Sequence, residues 1–325
     1  MAATAAVRSP RPSWKRTAKR LLFGAADFSQ QCTVGLQAPQ AEVAVWLEGL
    51  GEPLDVTQGH FMACGAPLLI GISDEFLRGC HDPRRQTLSL RFRERSAPAR
   101  LLGSIGLTFF RAVRAGGGFV HLFRPRSPRN YCLPRLQLWA HYLQYARLRR
   151  RSPDSEITMT ARDVHAMCAF YICPRPTGLV SVCDGSHSSI FPMNLMGATG
   201  RDYFCFALKT ITPVVSLVQR AGRLALCSLP VEKAPLAYRL GKNHNSESMD
   251  MSQLPFATVR SPKLRLLIPE FSVGVKELQV ESSENLGSHT LFAARILHEE
   301  QWTSAPQFFL IHGIYDLWKR KAAMA

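Results

Sequence analysis

Short apolar runs separated by turn residues dominate the chain between about residues 40 and 123. Residues 87–94 alternate apolar and polar positions and place Leu88, Leu90 and Phe92 on one face, which is typical of a strand with one solvated face. The runs AEVAVWL, APLLIGI and GGFVHLF predict three further strands. The pattern therefore predicts a β-rich region here.

A helical period begins at Pro134, a residue that suits the first turn of a helix. The apolar positions that recur at three- and four-residue spacing are Leu136, Trp139, Ala140, Leu143 and Ala146. We expect an amphipathic helix that covers one edge of the β-rich region, and a basic helix that binds a partner is the alternative. The stretch SPDSE that follows has the composition of a boundary.

The second half opens with a short helix and continues as strands. Thr160 and Asp163 have the spacing of a capping box, and Pro174 and Pro176 end the helix. Strands are predicted in TGLVSVC, DYFCFAL, RLALCSL, LRLLI, GVKELQVES, HTLFAARIL and QFFLIHGIY, with one helix over residues 232–240. Many antiparallel strands with one inserted helix predict a small barrel rather than a doubly wound sheet.

The length of 325 residues is enough for two domains. We predict a basic, disordered tail over residues 1–26. An N-terminal β-rich domain of unknown role, with the amphipathic helix at its end, is predicted over 27–153, and a C-terminal barrel over 157–320. The overall fold class is mainly β.

Positive charge is concentrated in the first half. Residues 1–150 hold 22 Lys and Arg against 9 Asp and Glu, a balance of +13, whereas the remainder has 18 against 15, or +3. Such a field attracts phosphate groups, nucleic acid or anionic lipid. Zinc-finger and RNP-type motifs are missing from the sequence, which disfavours nucleic acid as the partner.

Other sequence features narrow the class of protein. Apolar residues make up 46% of the chain, but no run reaches the ~18 residues of a membrane-spanning helix. Nine cysteines are scattered without a C-x-x-C pair, which favours free thiols over metal ligands or disulfides. The basic N-terminus lacks the apolar core of a secretory signal. We therefore expect a soluble, cytoplasmic protein without a metal site.

Four segments of the second half carry a family resemblance. They are CPRPTGLVSVCDG (173–185), SIFPMNLMG (189–197), ALKTITPVVSLVQRAGRLALCSLP (207–230) and ELQVESSENLGSHTLFAARILHEE (277–300). Together they resemble the flavin reductase-like family of FMN-binding split β-barrels. The resemblance spans about residues 160–318 and leaves the first half uncovered.

The resemblance implies a flavin site made of three parts. Pro192, Met193, Asn194 and Leu195 would pass along the flavin ring, although Asn194 in an ordinary turn would bond its own backbone. A second group, Lys209, Thr210 and Thr212, would hold the phosphate before a helix; the two threonines could instead cap that helix. Val214 departs from the family, where another hydroxyl is common. His289, in the turn GSHT, would lie where nicotinamide stacks.

The function implied is an FMN-dependent NAD(P)H oxidoreductase of the flavin reductase type. Reduced nicotinamide would deliver hydride to FMN, or to FAD, and electrons would pass to free flavin, a partner oxygenase or a small acceptor. Split barrels of this kind place FMN at a dimer interface, so a homodimer is also implied. One alternative is a non-enzymatic flavin- or haem-binding barrel. The other is a protein that binds nucleic acid or anionic surfaces through its basic N-terminal half.

Overall fold

A computed structural model describes residues 29–38, 41–78, 83–151 and 159–323. The predicted tail over residues 1–26 and the whole predicted boundary stretch SPDSE lie outside the described residues. No helix within the described ranges is both long and apolar enough to cross a membrane.

The N-terminal half is built from strands followed by one helix. The strands are β1 (Gln31–Leu36), β2 (Val43–Glu48), β3 (Leu54–Asp55), β4 (His60–Gly65), β5 (Leu68–Ser73), β6 (Leu88–Glu94), β7 (Leu101–Ala115) and β8 (Gly118–Asn130), and the helix is α1 (Arg135–Arg151). A single 3₁₀ turn, Asp74–Leu77, follows β5. Strands β2 to β8 form one sheet in the order β3-β2-β6-β7-β8-β5-β4.

The C-terminal half begins at α2 (Ala161–Phe170) and continues with strands and three short helices. In chain order these are β9 (Arg175–Pro176), β10 (Gly178–Cys183), β11 (Ser188–Met193), β12 (Met196–Ala198), β13 (Tyr203–Lys209), α3 (Pro213–Ala221), β14 (Arg223–Ser228), α4 (Ala234–Leu240), β15 (Thr258–Arg260), β16 (Leu267–Pro269), β17 (Gly274–Asn285), β18 (His289–Gln301), β19 (Gln307–His312) and α5 (Gly313–Ala322). The main sheet has the order β11-β10-β14-β17-β18-β13-β12.

The main C-terminal sheet is apolar on both faces, as strand β13 illustrates. Phe204, Phe206 and Leu208 point into one core, whereas Cys205 and Ala207 point into another. This alternation follows from the two-residue period of a strand. The first core is filled with apolar side chains from several strands and from α3. A curled sheet around its own core, with a few short helices, confirms the prediction of a mainly β fold with a split barrel.

Helices α1 and α2 occur where the sequence predicts them. The capping box is present, since Thr160 Oγ1 accepts from the amide of Asp163 at 3.2 Å and the Asp163 carboxylate accepts from the amide of Thr160 at 3.0 Å. The predicted buried face of α1 is correct at Ala140, which is buried, but wrong at its larger residues. Leu136 is 65% exposed and Trp139 60% exposed, whereas Leu138 is buried.

Most predicted strands are present, but some boundaries differ. The segment LRLLI forms only the short strand β16, and QFFLIHGIY is strand β19 followed at once by α5. Strands β4, β7 and β11 were not among the predictions. The 15-residue β7 mixes arginines with apolar residues, and this irregular pattern hides its period.

The two halves are joined by strand pairing. Strand β1, from the predicted N-terminal domain, pairs antiparallel along its whole length with β19. Strand β19 also pairs with β9, which completes a three-stranded sheet. Arg175, buried in the second half, donates to the backbone oxygen of His60 in the first half at 2.9 Å. The division near residue 155 stays a prediction, and these contacts are the ones that a separated half would lose.

Candidate functional site

A pocket of about 230 Å³ opens at the end of the C-terminal sheet. It is smaller than the roughly 300–1,000 Å³ of most small-molecule sites. The residues that line it are Pro192, Met193, Asn194, Leu195, Ala207, Leu208, Lys209, Thr212, Gly241, His244, Asn245 and His289. Seven of the eight predicted site residues lie in this lining; Thr210 does not.

Strands β13 and β18 bring the cationic and imidazole groups of the site together. Lys209, the last residue of β13, is the register partner of His289, the first residue of β18. Lys209 is exposed, and within the described residues its ammonium group makes no ion pair. A cation without a carboxylate partner at a pocket is available to an anionic ligand.

The two predicted threonines stabilise the turn after β13. Thr210 Oγ1 donates to the backbone oxygen of Gly287 at 3.0 Å, and Thr212 Oγ1 donates to the backbone oxygen of Lys209 at 2.7 Å. Neither side chain caps α3, although Thr212 occupies the N-cap position. Because both hydroxyl hydrogens are used by backbone carbonyls, the threonines position Lys209 and are not free donors for a phosphate.

Helix α3 begins directly beside Lys209. Pro213 is its first residue, as the preference of proline for the first helical turn predicts, and Gly222 ends it in the left-handed conformation at φ 61°. The N-terminus of this nine-residue helix carries a partial positive charge. Val214 is fully buried in the core, so this position supplies packing where the family often has a hydroxyl.

His289 is held in one tautomer by the N-terminal half of the chain. The amide of Gly65 donates to His289 Nδ1 at 3.2 Å, which leaves the proton on Nε2. Ser288 Oγ lies 2.8 Å from the same Nδ1 and accepts from the amide of Ala66 at 2.8 Å. Burial, and secondarily the charge of Lys209, lowers the pKa of His289 to about 4. The imidazole is therefore neutral at pH 7, and its Nε2 is a hydrogen-bond donor.

Asn194 turns away from its own backbone. Its Nδ2 donates to the hydroxyl oxygen of Tyr171 at 3.2 Å, so the alternative of a self-bonded turn is wrong. Burial raises the pKa of Tyr171 to about 12, and this phenol is a fixed anchor. Tyr171 thus orients the Asn194 side chain, which lines the pocket and has an amide oxygen that can accept a hydrogen bond.

Five lining residues were not among the predicted site residues. Ala207 and Leu208 lie in β13 next to Lys209, and Gly241, His244 and Asn245 lie in the segment directly after α4. His244 Nε2 donates to the backbone oxygen of Pro192 at 2.8 Å, and its ring lies 4.7 Å from that of Phe191. The polar run GKNHN directly after an apolar helix is the sequence signal that could have identified this segment as part of the pocket.

Solved structures that are similar to this chain include several flavin proteins. The NADH:FAD oxidoreductase of Streptomyces globisporus is 15% identical, and the match covers 50% of this chain and 95% of that one, with a TM-score of 0.42. An FMN-binding protein from Thermus thermophilus is 18% identical, with coverages of 43% and 82% and a TM-score of 0.38. The styrene monooxygenase flavin reductase of Pseudomonas putida is 18% identical, with coverages of 45% and 91% and a TM-score of 0.37.

Sequence comparisons add no relative. No protein-family profile matches the chain, and no curated protein matches it. The function is therefore inferred from the residues of the site.

Proposed function

We propose that this chain binds a flavin nucleotide in the C-terminal pocket and uses it as an NAD(P)H-dependent oxidoreductase. One observation carries the proposal. Lys209, which makes no ion pair within the described residues and lies beside a helix N-terminus, is the strand partner of the neutral His289, and both line one pocket together with the oriented amide of Asn194. This set of groups complements a planar, polar-edged ring that carries a phosphate tail.

The residues fit such a ligand in two places. At one end, Lys209 and the N-terminus of α3 supply positive charge for a phosphate, and no carboxylate of the described residues neutralises the lysine. At the other end, Asn194 offers an oxygen acceptor, and the backbone of residues 192–195 is fixed. The backbone oxygen of Leu195 accepts a hydrogen bond from the amide of Ala207 at 2.8 Å, and the backbone oxygen of Pro192 accepts one from His244 Nε2.

His289 acts by orientation rather than by proton transfer. Its pKa of about 4 keeps the ring neutral across the physiological range, so it is a poor general acid at pH 7. Its protonated Nε2 can donate to a carbonyl or amide oxygen of a nicotinamide placed on the ring. The Gly65 amide and Ser288 fix the direction of that donor.

When bound, a flavin supplies a position, N5, that accepts hydride from reduced nicotinamide. The protein binds the two partners, aligns them and excludes water. FMN is the preferred cofactor, because Lys209 and α3 form a single cluster for one phosphate group; FAD would extend further along the surface. NADH or NADPH is the co-substrate, and free flavin or a partner oxygenase is the electron acceptor.

The visible spectrum of the purified full chain tests the proposal. Bands near ~370 and ~450 nm that are released on denaturation would establish flavin binding. NADH and NADPH oxidation with added FMN then separates an enzyme from a flavin-binding protein without turnover. A haem spectrum, or the absence of both binding and oxidation at saturating FMN, would refute the proposed function.

A further inference from the structure

The two seven-stranded sheets of this chain have the same strand order. We number the strands of each sheet along the chain, β2 to β8 in the N-terminal sheet and β10 to β14, β17 and β18 in the C-terminal sheet. Both sheets then have the order second, first, fifth, sixth, seventh, fourth, third. Every neighbouring pair in both is antiparallel. Agreement at all seven positions, including the non-sequential ones, indicates one repeated unit.

Details of the two sheets agree as well. The sixth and seventh strands form a long hairpin in each sheet. In the first sheet β7 has 15 residues and β8 has 13, and in the second β17 has 12 and β18 has 13. Each hairpin contains two register irregularities. The fourth strand is followed by a helical segment in both, the 3₁₀ turn Asp74–Leu77 in the first sheet and α3 in the second.

The two sheets pack against each other through corresponding strands. A separate apolar cluster fills the space between them. From the first sheet it contains Phe61, Ala63, Cys64, Leu69, Val113, Ala115, Val120 and Leu122, and from the second Cys205, Ala207, Leu286, Leu291 and Ala293. The fourth and seventh strands contribute on both sides. The use of one surface by both partners is the property of a two-fold, self-complementary interface.

Close contacts across this interface are reciprocal. The hairpin turn of the first sheet meets the start of the fourth strand of the second, where a side chain at Gly116 would lie 2.0 Å from the Tyr203 ring. The hairpin turn of the second sheet meets the residues before the fourth strand of the first, where a side chain at Gly287 would lie 3.0 Å from the Ala66 oxygen. The third strands meet each other, with Phe61 against Gly197.

Only the second sheet has retained the chemistry of the site. In the second sheet the fourth strand, β13, ends at Lys209 and is followed by α3. In the first sheet the fourth strand, β5, ends at Ser73 and is followed by Asp74 and Glu75. Asp74 pairs with His121 at 2.7 Å. Two carboxylates at this position repel an anion. The segment that carries His244, inserted between the fifth and sixth strands, is also confined to the second sheet.

We infer that this chain is an internal pair of one barrel unit, in which the first copy has lost its ligand site and is the built-in partner of the second. The first copy also completes the site, because the Gly65 amide fixes the tautomer of His289. The homodimer that the family resemblance implies is then unnecessary. One chain is a complete unit with one site for a phosphate-bearing ligand. The identity of that ligand as a flavin rests on the proposed function.

The mass of the full chain in solution tests the built-in partner without any ligand. We expect sedimentation equilibrium to give the single-chain mass of 36.3 kDa, and a melting temperature unchanged over about a hundredfold range of protein concentration. A two-chain mass, with a melting temperature that rises with concentration, would overturn the inference.

Titration with FMN tests the loss of the first site. We expect one FMN per chain, and two per chain would contradict the inference. Gly65→Leu should weaken binding or reduction at least tenfold, because a side chain there meets His289 at 3.0 Å, whereas Gly117→Leu, with no atom within 4 Å, should leave both unchanged. Equal behaviour of the two variants would refute the contribution of the first copy. If no FMN binds, the proposed function fails, while the mass still decides whether the chain is an internal pair.

Discussion

The two sheets of this chain share a topology and differ in chemistry. The N-terminal half carries most of the positive charge, +13 of the total +16, yet at the position of the candidate anion site it places Asp74 and Glu75. The C-terminal half is close to neutral and has the unpaired Lys209 beside a helix N-terminus. The candidate site therefore does not lie in the half with the larger net charge, and two regions of the same topology can differ in their site residues.

Separation of the halves should have the largest effect. A fragment of residues 155–325 loses β1, the partner of β19, and exposes the cluster shared by the two sheets. We expect it to aggregate or to unfold without a cooperative transition, measured by circular dichroism and calorimetry. A soluble fragment with a sharp transition would show that the C-terminal half is an independent domain.

Acidification should destabilise the chain through its buried histidines. The folded pKa of His289 is about 4 against an ordinary value of 6.5, so below pH 6.5 protons bind preferentially to the unfolded chain. Stability is thus lost as the pH falls from about 6.5 to about 4, by up to about 3 kcal/mol from this residue.

Denaturant titrations of His289→Gln across that pH range check this effect. The variant should lose stability less steeply than the parent as the pH falls, because it lacks the buried imidazole. An identical slope for the two proteins would contradict the burial of a neutral His289. His312, whose pKa burial lowers to about 3, should contribute a residual slope in every variant.

Removal of the Lys209 side chain should distinguish a ligand that carries a phosphate from one that lacks it. Lys209→Ala should weaken FMN by about 1.5–3 kcal/mol, the range for hydrogen bonds to charged groups, and riboflavin much less because it lacks the phosphate. Fluorescence titration measures both affinities. Lys242→Ala is the matched control, since this exposed lysine lies near the pocket but not in its lining. Equal losses of affinity for FMN and riboflavin would contradict the assignment of Lys209 to the phosphate.

Truncation of the histidine should affect reduction more than binding. His289→Ala should lower kcat/KM about tenfold to a hundredfold, or roughly 1.4–2.7 kcal/mol, because one oriented hydrogen bond is lost. A lower kcat would indicate an interaction made in the transition state, and a higher KM alone would indicate uniform binding of the nucleotide. The affinity for FMN should stay near the parental value. An unchanged rate of flavin reduction would make His289 a turn residue only.

The sequence predicted local structure and seven residues that the fold brings into one pocket, but not how the halves combine. The capping box of α2 and the presence of a helix after Thr212 follow from local signals and were predicted correctly. The buried face of α1 was not, because Leu136 and Trp139 follow the helical period but lie outside the contact with the sheet. His244 was missed because only tertiary folding returns it to Pro192, 52 positions away.

The repetition of the barrel unit was invisible for a physical reason. A strand order is set by long-range pairing, and the alternation of apolar residues that each strand needs carries no information about its neighbours. The C-terminal copy also contains an insertion with β15 and β16 that the N-terminal copy lacks. The correspondence becomes evident in the strand order of the two folded sheets.

Anaerobic single-turnover reduction of the FMN-loaded full chain is the most direct test of the central claim, that the C-terminal pocket is a flavin site at which nicotinamide reacts. Stopped-flow mixing with NADH or NADPH should bleach the absorbance near ~450 nm in a single phase, with an amplitude of one flavin per chain. Lys209→Ala should lose this amplitude at limiting FMN, and His289→Ala should slow the phase. A bound flavin that neither nucleotide bleaches would contradict the claim.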